Sequence, residues 1–542
     1  MKKFFLAICC CWATVGFAQK YQFTHDDTLR GTITKERAWW DLTYYHLSVK
    51  INPADSTVGG STVVRYKVLK PYQTLQIDLQ RPLNISRVVQ DGKDLNFRRD
   101  GNAFFIELTK KQQVGKTESL TVYYKGKPQI ARRPPWDGGF TWKKDAAGNG
   151  FITMSCQGLG ASVWWPCKDH MYDEPDSMLI SATVPKPLMD VSNGRLRKVT
   201  DNGDGTRTFD WFVANPINNY GVNVNIGNYV QWSDTLMGEK GKLDLNFYVL
   251  PENEAKAREQ FKQAKLMLKA FEHWFGPYPF YEDGYKLVEV PYLGMEHQSS
   301  VTYGNAFKNG YLGRDLSGTG WGNKWDFIII HESGHEWFAN NITYRDIADM
   351  WVHESFTNYS ENLYTEYYFG KKAGADYVIG TRKGIRNDIP IIGMYNVNHK
   401  GSGDMYSKGG NMLHTIRQIV NNDEKWRQLL RNMNKTFYHQ TVTGAQIEQF
   451  MSEKSGHNLS KVFDQYLRDV RIPVLEYQLK DATLRYRWNN CVAGFDMPVQ
   501  VWFGSGKSQQ LNPTPEWKSL KTDFVGELKA DENYYVTTQK VE

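Results

Sequence analysis

The residues in this sequence best suited to chemistry are two histidines four apart with a glutamate after the first, His331-Glu332-Ser333-Gly334-His335. Four residues is just over one helical turn, so on a helix both imidazoles emerge on one face and can grip a single ion. Zinc suits them, one ion per chain, and a catalytic zinc takes three nitrogen or oxygen ligands from the protein while keeping a fourth position open. A third ligand is therefore required. Glu354, within Met350-Trp351-Val352-His353-Glu354-Ser355-Phe356 on what reads as a second helix, supplies it. Glu332 neighbours a ligand without sharing its geometry, which leaves its carboxylate free to take a proton from water. With 12 histidines in 542 residues, this spacing rarely arises by coincidence. His353, beside a ligand, should point elsewhere and is assigned to packing or surface. Glu361 returns to the face of Glu354 after two turns; it either orients a ligand imidazole or sits solvated.

Around these residues the pattern changes along the chain. From about Trp39 to Val230 short alternating runs such as His46-Leu47-Ser48-Val49-Lys50-Ile51, punctuated by Asp-Gly and Gly-Gly turns, predict a mostly antiparallel β domain. Pro251 to Phe275 reads as one amphipathic helix halted by Gly276-Pro277. Two helical segments follow between Trp325 and Phe369, and helical periodicity dominates from Lys408 to Arg471. After Ile472-Pro473 strands return, at Val474 to Gln478, Leu484 to Trp488 and Pro498 to Phe503. The expected division is a signal peptide at 1–18, an N-terminal β domain at 19–235, a catalytic domain at 236–471 and a C-terminal β domain at 472–542.

A basic start at Lys2 and Lys3, an apolar run from Phe4 to Phe17 and small residues before Gln19 make the export signal. That run is too short to span a bilayer, which takes about 20 apolar residues, and Ile8 before Cys9 is too bulky for a lipoprotein signal. A soluble periplasmic or secreted protein is expected. The formal charge of +7 falls by two when the leading lysines leave, and no basic block argues for nucleic acid. Behind the signal only Cys156, Cys167 and Cys491 remain, too few for a disulfide framework. One bridge between Cys156 and Cys167, or three free thiols, are both open.

The motifs resemble those of the aminopeptidase N family of zinc metallopeptidases, which includes the leukotriene hydrolase. Trp351-Val352-His353-Glu354-Ser355-Phe356-Thr357 is similar to that family's Trp-Leu-Asn-Glu-Gly-Phe-Ala, and His335-Glu336-Trp337-Phe338-Ala339-Asn340 to the segment completing its zinc helix. Leu293-Gly294-Met295-Glu296-His297 resembles Gly-Ala-Met-Glu-Asn, whose glutamate binds the substrate's free amine. The resemblance thus implies Glu296 as amine anchor, with the backbone of Gly294 and Met295 along the substrate. Leu293 and His297 depart from the signature. Tyr406, in Tyr406-Ser407-Lys408-Gly409, resembles the segment that supplies the catalytic tyrosine, a donor to the developing oxyanion. Trp164-Trp165-Pro166-Cys167-Lys168-Asp169 resembles the Pro-Cys-x-Asp segment, which follows a Gln-x-Glu or Gln-x-Gln pair lining the amine pocket. Here Gln157 survives, with Ser155 at the other position. The implied fold is a multidomain α+β chain: a β saddle, a thermolysin-like, mainly helical catalytic domain and a small β domain. No large C-terminal helical domain closes over the site, so the cleft should be open.

The resulting expectation is an aminopeptidase acting on peptides with a free N-terminus, oligomeric state undetermined. The alternatives are a zinc endopeptidase with a remodelled amine pocket, and a noncatalytic envelope protein that binds peptide or glycan.

Overall fold

Along Trp40–Asn52 the side chains of Leu42, Tyr45, Leu47, Val49 and Ile51 are buried while their neighbours face outward; a bulge between Leu42 and Tyr44 resets the alternation. This strand lies within an eight-stranded sheet, parallel to Ser177–Pro185 on one side and antiparallel to Thr57–Val68 on the other. The computed structural model describes residues 21–504, 506–523 and 526–542; the expected signal peptide at 1–18 lies outside the described residues. A four-stranded sheet, in the order Met189–Ser192, Val224–Gly227, Gly150–Ser155 and Gly139–Lys144, completes the framework that carries Gln157. These strands share one core running from Trp39 to Tyr229.

A second core holds everything that follows. Its five-stranded sheet runs Val230–Gly238, Gly241–Val249, Tyr285–Glu289, Val301–Tyr303 and Gly294–Met295, so Gly294–Met295 is an edge strand. The expected division at 235/236 falls inside the first of these strands. Leu236 and Leu243, from the hairpin it forms with Gly241–Val249, join the core of the helices, because the hairpin covers them rather than the saddle.

The expected single helix from Pro251 to Phe275 is instead two, Glu254–Gln260 and Gln263–Phe275. At the break, Phe261 enters a cluster with Trp232, Phe247, Tyr303 and Phe307, while Gln260 and Gln263 both bond Asn309. Those contacts outweigh the continuation of one helix. Helices Phe327–Gly334, Trp351–Phe369, Lys371–Gly380, Ser407–Val420, Asp423–Thr436, Gly444–Ser455 and Ser460–Leu467 form the bulk of the domain. After Leu467 the regular elements among the described residues are strands, in sheets of four and three. Leu475, Tyr477, Trp488 and Val501 pack into the same second core, so these strands do not form a core of their own.

Cys156, Cys167 and Cys491 are all free thiols, the first two buried. No helix among the described residues is long and apolar enough to cross a membrane.

Candidate active site

Asp326 begins the helix Phe327–Gly334 by accepting the N–H groups of Ile328 and Ile329, and Tyr303, Asn305 and Gln260 hold its carboxylate in turn. The helix is buried along its whole length, which a run of three isoleucines favours. His331 and His335 leave it on one face. The Nδ1 of His331 lies 2.7 Å from Glu361 Oε1, and that of His335 lies 3.0 Å from the carbonyl oxygen of Phe338. A carboxylate and a carbonyl accept, so both imidazoles carry their proton on Nδ1 and turn a lone pair on Nε2 toward Glu354. Glu354 Oε2 is 3.4 Å from His335 Nε2 and 3.9 Å from His331 Nε2.

Oε2 of Glu354 is buried and has no hydrogen-bond partner among the described residues, a costly state unless a cation takes it. The donor atoms of His331, His335 and Glu354 all lie within 4.8 Å of one another. Two neutral imidazoles and one carboxylate around an orphaned oxygen fit zinc. Electrostatics points the same way. Burial would lower His335, yet Glu354 and Glu296 hold it up near 10, while Glu354, which burial would raise, is drawn to about 2 by His335 and His331. Glu296, Glu332 and Glu354 thus crowd negative charge that a bound cation would offset.

Past Gly334 the helix loosens into a wider turn over Glu336–Asn340, which brings the Phe338 carbonyl back to His335. From the same turn, the Asn340 side-chain amide donates to the backbone oxygen of Glu296 at 2.9 Å. One irregular turn therefore fixes a candidate ligand and the candidate amine anchor together.

Glu332 receives no hydrogen bond printed by its surroundings; burial pushes its carboxyl up to about 7, with the charges of Glu296 and Glu354 adding to the effect. Gly294 lets the edge strand approach this helix: a Cβ there would meet Ile328 Cγ2 at 2.6 Å and Glu332 Cγ at 3.2 Å. Gly409 does the same for Tyr406, because a Cβ at 409 would meet Ser355 Oγ at 2.0 Å. The hydroxyl of Ser355 donates to the Met405 carbonyl at 2.7 Å, tying Tyr406 to the helix of Glu354. The Tyr406 ring stacks 6.0 Å from that of His331 and remains 36% exposed to the cleft. Burial and the neighbouring carboxylates Glu354, Glu296 and Glu332 hold its hydroxyl well above the ordinary tyrosine pKa, so it stays a donor.

The Gln157 side-chain amide bridges Glu296 Oε1 at 2.6 Å and Glu354 Oε1 at 2.9 Å. Two carboxylate oxygens demand donors, so the NH₂ must face them and the amide carbonyl is left over. Ser155, at the other position of that pair, is buried and donates to the Pro135 carbonyl instead. Met295 is buried, its carbonyl taken by Thr302. Glu361, which the sequence left open, is buried against His331 and accepts from Tyr377 at 2.6 Å. His353 is buried, as a packing residue would be, but it is also hydrogen-bonded: Tyr344 N–H donates to Nε2 at 2.8 Å, and Nδ1 is 3.4 Å from the Tyr220 hydroxyl.

Sequence reading missed Tyr220, whose hydroxyl reaches Glu296 at 3.1 Å. It comes from the other core and carries no local signal. It also missed Trp136, which lines the cleft and is 68% exposed. The cleft holds about 300 Å³ and collects His331, Glu332, His335, Glu354, Glu296 and Tyr406.

Comparison with known proteins bears on this arrangement. The peptidase family M1 domain matches residues 259–466, and the peptidase M1 N-terminal domain matches residues 42–220. Probable aminopeptidase 2 of Sulfurisphaera tokodaii is 22% identical over 414 residues, covering 72% of this chain and 49% of that protein. Aminopeptidase N of Lactococcus lactis is 22% identical over 547 residues, 91% of this chain and 60% of its own. Leukotriene A-4 hydrolase of Xenopus laevis is 21% identical over 441 residues, 76% and 68% respectively. The chain spans about half the length of the first of these relatives. Among solved structures, the M1 zinc metallopeptidase of Deinococcus radiodurans superposes with a TM-score of 0.67 at 20% identity, covering 80% of this chain and 96% of that one, a likeness of fold.

Proposed function

The chain belongs to peptidase family M1, and from that membership we propose that it is a zinc-dependent aminopeptidase that releases N-terminal residues from peptides. His331, His335 and Glu354 are the ligands in this reading. Zinc in such a site polarises a carbonyl and lowers the pKa of water to about 7. Glu332, unencumbered and raised by burial, takes a proton from the attacking water and returns it to the leaving amine. The Tyr406 hydroxyl donates to the oxyanion as the carbonyl carbon becomes tetrahedral. Gly294–Met295, at the edge of its sheet, has one side without a strand partner among the described residues, which suits an extended peptide added alongside.

The observation that carries the exopeptidase reading is Glu296. Its carboxylate lies within 4.8 Å of donor atoms on Glu332 and His335, so a charged amine held there leaves room for little more than one residue before the scissile carbonyl. The α-amine, with a pKa near 8, is mostly charged at neutral pH. The test compares an aminoacyl anilide with its N-acetyl form, each with and without chelator. Chelator-sensitive cleavage of the free amine alone is expected; equal cleavage of the acetylated form would make the enzyme an endopeptidase. No chelator-sensitive hydrolysis of either would leave a binding protein.

The segment 1–18 supports export to the periplasm or beyond. Protein recovered from the cell envelope or medium should begin at Gln19 on N-terminal sequencing; an intact Met1 would overturn this.

A further inference from the structure

Behind Glu296 lies a chain of hydrogen bonds whose direction is fixed from its far end. A backbone N–H can only donate, and that of Tyr344 points at His353 Nε2 from 2.8 Å. Nε2 is therefore the acceptor, and a neutral imidazole then carries its proton on Nδ1. Nδ1–H faces the Tyr220 oxygen at 3.4 Å, so Tyr220 accepts there and has its single O–H left for Glu296 Oε1, 3.1 Å away. The opposite tautomer would set Nε2–H against Tyr344 N–H. His353, Tyr220, Tyr344 and Glu296 are all buried, and the ring of Tyr344 lies 4.1 Å from that of His353, which leaves the imidazole no room to turn over.

We propose that His353 and Tyr220 are positioning residues for the amine anchor: together they commit the Tyr220 proton to Glu296 Oε1, so that Oε2 is presented to a substrate's ammonium group. This rests on Glu296 acting as the anchor. Oε1 already accepts from Gln157 and, with the Tyr220 proton, is saturated by two donors. No hydrogen bond falls on Oε2 among the described residues. Three separate parts of the chain, a turn at 218–221, the second ligand helix and the strand Ile342–Tyr344, converge to produce this, and none contributes another polar contact to Glu296. The role also accounts for His353 standing where the resembling motif has Asn. Asn and His each offer one acceptor and one donor, and the longer imidazole spans the distance from the Tyr344 amide to the Tyr220 hydroxyl.

The experiment measures kcat, KM and zinc content of the zinc-loaded enzyme with an aminoacyl p-nitroanilide, for Tyr220→Phe, His353→Phe, their double variant and His353→Gln. Glu296→Gln serves as reference. Tyr220→Phe should raise KM about tenfold, the worth of one hydrogen bond to a charged group, with kcat within twofold and one zinc retained per chain. The double variant should be no worse than Tyr220→Phe, since either break empties the same chain. His353→Gln, which can accept from Tyr344 and donate to Tyr220, should recover most of the loss and also stands in if the phenylalanine variant does not fold. Effects that multiply in the double variant, a fall in kcat at unchanged KM, or loss of zinc would overturn the proposal. If Glu296→Gln leaves KM unchanged, the anchor reading itself has failed. If Glu296→Gln raises KM and Tyr220→Phe does not, only the positioning role has failed.

Discussion

Glu361 Oε1 lies 2.7 Å from His331 Nδ1, and the other oxygen of the same carboxylate is held by the Tyr377 hydroxyl at 2.6 Å. A helix that supplies Glu354 to the metal site thus also supplies, two turns later, the group that fixes the tautomer of a facing ligand. Such partners raise the basicity of a ligand imidazole and set its orientation. Removing this one by Glu361→Ala should weaken zinc binding about 10- to 100-fold, measured by competition with a chromogenic chelator. Unchanged affinity would mean that packing alone orients His331.

Glu332→Gln keeps the shape of the side chain and removes its capacity to accept a proton. Zinc content should stay at one per chain, while kcat falls by about 10²- to 10⁴-fold, the usual worth of a general base. Retained turnover would remove Glu332 from the mechanism.

Tyr406→Phe deletes a donor whose ring and backbone position are secured independently by Gly409 and Ser355. The expected loss is confined to kcat, about 10²- to 10³-fold, as for one oxyanion donor, with KM within a fewfold. A change in KM alone would indicate that the hydroxyl binds substrate rather than stabilising the oxyanion.

Gly294→Ala places a methyl 2.6 Å from Ile328 Cγ2 and 3.1 Å from the Thr302 carbonyl, so the edge strand or the histidine-bearing helix must shift. Overpacking of this kind costs about 1–3 kcal/mol. Denaturant titration should report that loss, together with a reduced kcat because Glu332 moves with the helix. A variant with wild-type stability and turnover would show that the two elements are not in rigid contact.

Three buried histidines, His170, His297 and His414, are each held down to about 3 by burial. In the unfolded chain they titrate near 6.5. Between those values the unfolded state binds more protons, so stability is complete above pH 6.5 and falls as pH drops toward 3, on the order of 1.4 kcal/mol per pH unit for each histidine. His297, with neither ring nitrogen hydrogen-bonded among the described residues, is the cleanest probe. His297→Asn should flatten the loss of stability between pH 6.5 and 4 relative to the parent chain in chemical denaturation. An identical pH profile for the two would contradict the buried neutral state.

Spacing along one helix can be read from a sequence, because 3.6 residues per turn converts it directly into a shared face. That is why His331, His335 and Glu332 were legible without a fold, and why Glu361 could be brought to the face of Glu354. Burial alternation likewise marked the saddle, the helical middle and the closing strands. What it could not mark was continuity of packing. The strand Val230–Gly238 alternates like its predecessors yet joins the second core, and Phe261 breaks a helix whose periodicity runs through it because a ring cluster forms around that residue.

The sequence by itself determined the ligand set and the base, since these depend on local helical geometry and on residue type. Only the tertiary structure decided the surroundings of Glu296. Tyr220, Gln157, Asn340 and His353 reach it or one another from distant parts of the chain, and no periodicity relates them. Hydrogen-bond direction depends on distances of about 3 Å between groups up to 139 residues apart, and those distances exist only once the two cores have packed together.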